Sequence, residues 1–278
     1  MKKLWKIVRG VLVVLSTIAL STLAINATDN AGNFSNSILG LVIGGEEERC
    51  PLNMALVPNS EGGFCIDIYE ASVGEDCQFN TPQNQNETRL NLEDSSCVAE
   101  SNPNKKPWTN IARHQAELAC AQAGKRLPSN EEWYKASLGT PDSSGNVSRG
   151  DCNIDSSGTP LNTGARSLCR SSIGVFDMVG NVWEWVDETV ISGNFNGRVL
   201  PNEGYVNGID NQGVPIDTSS TTPDANFNDD YFFLDKTGSR GMIRGGYWGS
   251  GSDAGQYAIN AITPPSFTGN AVGFRCAK

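Results

Sequence analysis

The chain has 278 residues, with 21 Lys and Arg against 31 Asp and Glu and a formal charge of −10. Such an acidic surface repels phosphate backbones and argues against nucleic acid as a partner. A single histidine (His114) and no Cys-x-x-Cys argue against zinc and against a histidine-based triad.

Lys2, Lys3, Lys6 and Arg9 precede an uncharged apolar run from Gly10 to Ile25, then Asn26-Ala27-Thr28. Residues 1–27 thus have the layout of a secretory signal peptide. An uncleaved N-terminal membrane anchor is the rival reading, because the run is near the lower length of a spanning helix. Either way the expectation is export: a secreted, periplasmic or cell-surface protein that meets a membrane only through this segment. These residues carry four positive and no negative charges, which leaves −14 for the rest. Eight cysteines, all beyond residue 49, fit export and read as disulfides. Residues 28–48 read as a tether and 49–278 as one domain.

Short apolar runs at Met54–Val57 and Phe64–Tyr69 flank a Gly-rich turn and predict a hairpin. Val73 to Lys106 is polar throughout and reads as a loop stapled by Cys77 and Cys97. From Thr109 to Gly124 the face Ala112, Ala116, Ala119, Cys120 and Ala123 predicts a helix over about 109–123, ended by Gly124. A second helix, about 130–138, is announced by Ser129 with Glu132 three residues later, the spacing of a capping box. Arg126 just before it meets either a buried acid or solvent. Pro141 to Leu168 is rich in Gly, Ser and Asp and reads as loop.

The stretch from Gly174 to Asp187 reads Gly-Val-Phe-Asp-Met-Val-Gly-Asn-Val-Trp-Glu-Trp-Val-Asp. On an extended backbone Trp183 and Trp185 share one face and Glu184 takes the other. A carboxylate placed there needs a partner. Asp177, Glu184 and carbonyls near Gly180 would wrap a hard cation such as calcium; the other reading is that an arginine holds Glu184. An acidic, Asn/Asp/Gly-rich insertion follows at about 187–240, with Tyr231-Phe232-Phe233-Leu234 to dock it on the core. Between Trp248 and Val272, small, polar and aromatic residues mix without helix or strand period. Rigid aromatic area beside adaptable Ser, Gly and Asn is the chemistry of a paratope.

Three segments together carry a resemblance. Gly-Val-Phe-Asp-Met-Val-Gly-Asn-Val-Trp-Glu-Trp resembles the signature of the formylglycine-generating enzyme family, also called sulfatase-modifying factor domains. Gly124-Lys125-Arg126-Leu127-Pro128-Ser129-Asn130-Glu131-Glu132-Trp133 is similar to a second family block. Arg244-Gly245-Gly246-Tyr247-Trp248, followed by Val272-Gly273-Phe274-Arg275-Cys276, is similar to the family's ending. The resemblance implies an α+β, C-type-lectin-like fold, loop-rich, with short irregular strands and two helices. It also implies a Cys120–Cys276 disulfide. Spacing does not decide the remaining pairings, which are assigned locally as Cys50–Cys65, Cys77–Cys97 and Cys152–Cys169. Structural calcium is implied at the Asp177 and Glu184 side chains with the Gly180 and Val182 carbonyls. A second calcium site, at Asn153 and Ile154, has Arg166 where an acid is wanted and is expected to be weak or empty.

The family's enzymes oxidise a cysteine of a sulfatase with copper held by two cysteines, six and eleven residues beyond the Arg of the Arg-Gly-Gly block. Those positions are Ser250 and Gly255 here. Neither binds Cu(I), which prefers thiolates, so no copper is expected. The resulting expectation is an exported, non-catalytic module that binds an extracellular protein or glycan. Its face is Tyr247, Trp248, Ser250, Ser252, Asp253, Tyr257, Asn260 and Phe267, on the loop over which the family holds its peptide. The alternative is a formylglycine-generating-type oxidase with an altered site. The terminal loop also resembles the variable region of diversity-generating retroelement target proteins, which share the fold.

Overall fold

The computed structural model describes residues 50–59, 62–142, 151–155 and 157–278. The N-terminal signal or anchor segment and the tether lie outside the described residues. No helix among the described residues is long and apolar enough to cross a membrane. In chain order the elements are β1 (Met54–Val57), β2 (Phe64–Asp67), β3 (Ser72–Val73), α1 (Gln85–Glu93), β4 (Ala99–Glu100), α2 (Arg113–Gln122) and α3 (Asn130–Ser137). There follow β5 (Trp183–Ile191), β6 (Asn194–Phe195), β7 (Arg198–Val199), β8 (Gly204–Ile209) and β9 (Pro215–Ser219). The last four are β10 (Tyr231–Leu234), β11 (Ser239–Arg244), β12 (Ile259–Ala261) and β13 (Val272–Phe274).

The principal sheet runs β7-β6-β5-β11-β12-β10-β8-β9, with β13 beside β5. It is mixed: β13 lies parallel to β5 and β12 parallel to β10, whereas the other pairs are antiparallel. β5 is the strand the sheet is built on. Trp183, Glu184, Trp185 and Val186 are all buried there, because both faces of the strand are covered. Trp185 sits in a core with Trp108, Phe274 and the Ala116–Ala119 face of α2. Val186 sits in the other core with Trp133 of α3, Phe232 and Met242. The α+β class and the loop-rich character with short strands are as expected.

The capping box of α3 forms: Glu132 N donates to Ser129 Oγ at 3.2 Å and Ser129 N to Glu132 Oε2 at 2.8 Å. Arg126 meets that same Glu132, through two hydrogen bonds of 2.6 Å. α2 begins later than expected, at Arg113, because Asn110 turns left-handed (φ 56°) and Ala112 is still extended. The expectation of two helices is corrected by α1, which lies inside the segment read as a loop. Asn84 caps it by accepting from Glu87 N at 3.0 Å, while Gln83 N donates to Glu87 Oε2 at 2.7 Å. Its sparse apolar content hid it; only Leu92 and two polar side chains, Thr88 and Asn91, are buried. The acidic insertion contributes five strands, β6 to β10, and β10 docks as expected through buried Phe232 and Leu234.

All four expected disulfides are present: Cys50–Cys65, Cys77–Cys97, Cys120–Cys276 and Cys152–Cys169. The third joins α2 to the residue two beyond β13, across 156 positions.

Candidate ligand-binding face

The loop after β11 is held from beneath by a buried arginine. Arg244 lies with its guanidinium 4.9 Å from the Trp133 ring centre and donates to the carbonyls of Gln256 (2.8 Å) and Gly213 (3.2 Å). Burial lowers its pKa to about 10. Gly246, at φ 89°, turns the chain where a side chain would run into Ala254. The loop is then tied down by Trp248 N donating to Asn181 O at 3.1 Å and Gly251 N to Ile154 O at 2.9 Å. Tyr247 N donates to Ser250 Oγ at 3.0 Å.

These bonds place Ser250 on a fixed turn and bury Gly255. A side chain at residue 255 would collide with the carboxylate of Asp230. Asp230 comes from the acidic insertion and is fully buried. Its Oδ2 accepts from Tyr257 N at 2.7 Å, and neighbouring Asp142 accepts from Gln256 N at 2.8 Å. Burial, then the charge of Asp142, holds Asp230 well above the usual carboxylate range.

The eight expected face residues fall into separate settings. Tyr247 and Trp248 meet edge to face at 5.2 Å, half-exposed, beside Ser250, Ser252 and Asp253. Trp248 Nε1 is buried with no hydrogen-bond partner among the described residues. Tyr257 packs elsewhere, against the core of α3, with Phe227 at 5.4 Å and Tyr134 at 6.1 Å. Asn260 is half-exposed on β12, opposite Phe233 of β10, and Phe267 is 40% exposed on the following loop. Sequence reasoning missed a further aromatic row from the insertion: Tyr205, Tyr231 and Phe233. The alternation of Phe232 and Leu234 inward with Tyr231 and Phe233 outward was the signal for it.

Of the expected calcium residues, the Glu184 and Asp177 carboxylates are both engaged. Arg275 donates to both oxygens of Glu184, from Nη2 at 2.6 Å and from Nε at 2.7 Å, and Trp133 Nε1 adds a bond of 2.7 Å. Asp177, left-handed at φ 58°, accepts from Gly164 N at 2.6 Å, and burial pushes its pKa up to about 7. Glu70 joins the cluster from the far side, accepting from Asn181 Nδ2 at 2.6 Å and Val182 N at 3.2 Å. As arranged, Glu184 accepts three hydrogen bonds from Arg275 and Trp133, so calcium here would share a carboxylate that already holds a guanidinium. Among the described residues no three His, Cys, Asp or Glu side chains converge as metal ligands. At the second position Asn153 is spent on Asn181 and Ser157, and the Ile154 carbonyl accepts from Gly251.

The sulfatase-modifying factor enzyme 1-like domain family matches residues 31–278. The chain belongs to that family. Its C-type-lectin-like fold is the one that sulfatase-modifying factor domains bring. A serine/threonine-protein kinase Pkn1 of Chlamydia trachomatis serovar L2 is 26% identical over 84% of this chain and 35% of its own length. The chain therefore spans about a third of the kinases it matches. An inactive C-alpha-formylglycine-generating enzyme 2 of Bos taurus is 28% identical over 37% of this chain and 40% of its own. Among solved structures, the Major Tropism Determinant I1 variant aligns over 82% of this chain and 52% of its own, at 18% identity and a TM-score of 0.45. PvdO from Pseudomonas aeruginosa aligns over 81% and 89%, at 16% identity and a TM-score of 0.45.

Proposed function

We propose that this chain is an exported, non-catalytic ligand-binding module of the sulfatase-modifying factor family. Its binding face is the loop from Tyr247 to Asp253 with the neighbouring sheet, and its partner is an extracellular protein or glycan. One observation carries the proposal: the space in which the first side-chain carbon at residue 255 would stand is filled by the Asp230 carboxylate. Ser250, the other copper position, has its hydroxyl committed to Tyr247 N. What is left is a rigid turn presenting Tyr247, Trp248, Ser252 and Asp253, with aromatic anchors of the type that dominate binding energy. Four disulfides fit an oxidising destination. The name of one relative, an inactive formylglycine-generating enzyme, agrees with loss of chemistry.

The test is mass spectrometry of a sulfatase-type cysteine peptide incubated with the purified chain, copper and oxygen. Unchanged peptide is expected, together with capture of a glycan or protein on arrays that Tyr247→Ala and Trp248→Ala abolish. Oxygen-dependent conversion of the cysteine would return the chain to the oxidase class.

A further inference from the structure

The insertion strands carry an aromatic surface with acids at its edge. Tyr205 of β8 and Tyr231 of β10 are direct cross-strand partners, with rings edge to face at 5.1 Å and 84°. Phe233, two residues on and therefore on the same side of β10, brings its ring to 4.6 Å from Tyr231. Trp183 closes the inner end, edge-on to Phe233 at 6.3 Å. Trp183 is buried, whereas the other three rings are half-exposed. These residues stand outside the terminal loop on which the family's chemistry is built.

Two carboxylates flank the row. Glu203 is exposed and immediately precedes β8, near enough for its charge to act on the Tyr231 phenol. Asp253 is half-buried in the short turn Gly251–Asp253. No ion pair or side-chain hydrogen bond engages either one among the described residues. Burial raises the pKa of Asp253, and the Tyr231 phenol is raised by burial and then by the charges of Glu203 and Asp253. The nearby Lys236 ammonium is tied to Asn202 Oδ1 at 2.8 Å. A carboxylate withdrawn from water without a counter-ion is costly, and the faces of aromatic rings carry negative potential.

We infer that the row Tyr205–Tyr231–Phe233, with Glu203 and Asp253, is a seat for an arginine side chain of a protein partner. The inference rests on the binding-module reading and names the chemistry of what is bound. A guanidinium is planar and weakly hydrated, stacks on rings and donates two parallel hydrogen bonds to a carboxylate. It would supply the positive charge that Asp253 lacks among the described residues while covering the exposed ring faces. The chain's charge of −10 favours basic partners over acidic ones.

The experiment is calorimetric titration of the full chain with an oligo-arginine hexapeptide and with its citrulline counterpart, which keeps shape and loses charge. Arginine peptide should bind, and citrulline peptide should bind at least about tenfold more weakly. Tyr231→Leu and Asp253→Asn should each weaken arginine binding by about five- to tenfold at unchanged melting temperature. Should either substitution lower the melting temperature, the exposed Glu203→Gln, which leaves the core untouched, carries the test. No binding of the arginine peptide, equal binding of both peptides, or wild-type affinity in all three variants would overturn the seat. So would a neutral glycan that the wild type captures and Tyr231→Leu loses, because the row would then be a sugar platform. A glycan or protein captured through Tyr247 and Trp248 that ignores Tyr231→Leu and Glu203→Gln leaves the binding-module reading standing and removes only the arginine seat.

Discussion

The carboxylate of Asp230 occupies the space in which a side chain at residue 255 would begin. Restoring a cysteine there therefore means overpacking a closed site. Gly255→Cys should destabilise the fold by about 1–3 kcal/mol, the ordinary range for atoms forced into a filled core. Ser250→Cys, on the half-exposed turn, should change stability little. Urea denaturation of the two single variants checks this, and Asp230→Ala added to Gly255→Cys should recover part of the loss. Equal stability of both single variants would mean that the site is open after all.

Arg275 is the fully buried counter-ion of Glu184 and stands among Glu70 and Asp177 as well. Removing one member of such a pair leaves an uncompensated charge, at about 3–5 kcal/mol. Arg275→Met should lower the unfolding free energy by that amount, and Glu184→Gln together with Arg275→Met should be less damaging than Arg275→Met alone. A double-mutant cycle measures the coupling.

Calcium offers a separate check on the same cluster. With both Glu184 oxygens engaged by Arg275, melting temperature should be the same in millimolar calcium and in chelator. A ligand that binds only the folded state must stabilise it. A rise of several degrees in calcium would show that the ion binds the folded chain, as the set Asp177, Gly180, Val182 and Glu184 implies.

Much of this was legible in the chain before folding was considered, and the reasons differ by residue. Ser129 and Glu132 announced α3 because a capping box is local chemistry. The local disulfides followed from nearness, and the long one from the family. The partner of Glu184 was not legible: Arg275 lies 91 positions away, and an arginine and a cation satisfy the same carboxylate. α1 was missed because its capping residues, Asn84 and Glu87, sit in a run with almost no apolar stripe. The split between Tyr247 and Tyr257 depends on which core each ring meets, and the loop's lack of period carries no such information.

Stability should depend on pH through Glu188, whose Oε2 accepts from Asn130 N at 2.7 Å. Burial, against that hydrogen bond, raises its pKa to about 7 from the ordinary 4.5. Between those values the folded chain holds the proton more tightly than the unfolded chain. Stability contributed by this group therefore falls as pH rises from about 4.5 to about 7, and is level above that. Glu188→Gln should flatten this part of the profile of denaturation midpoint against pH. An unchanged profile would assign the dependence to other acids.

The bridge between Cys120 and Cys276 closes a loop of 156 positions. In the chain-entropy model such a closure is worth up to about 5 kcal/mol. Cys120→Ala with Cys276→Ala should lose more stability than the same change at Cys50 and Cys65, which are 15 apart. Guanidinium melts of the two double variants compare them directly.

The final residues pair with the beginning of the domain: Cys65 N donates to Lys278 O at 2.9 Å and Lys278 N to Cys65 O at 2.8 Å. Ala277 does the same with Arg126, while β13 lies along β5. This stitching has a consequence for biogenesis. The early hairpin, the helix that carries Cys120 and the central strand all wait for residues 272–278, which emerge after them. At about 5–20 residues per second of synthesis, the first half of the domain spends many seconds without its closing partner. Nascent chains halted before residue 272 should therefore be cut readily by protease, and resistance should arrive in a single late step.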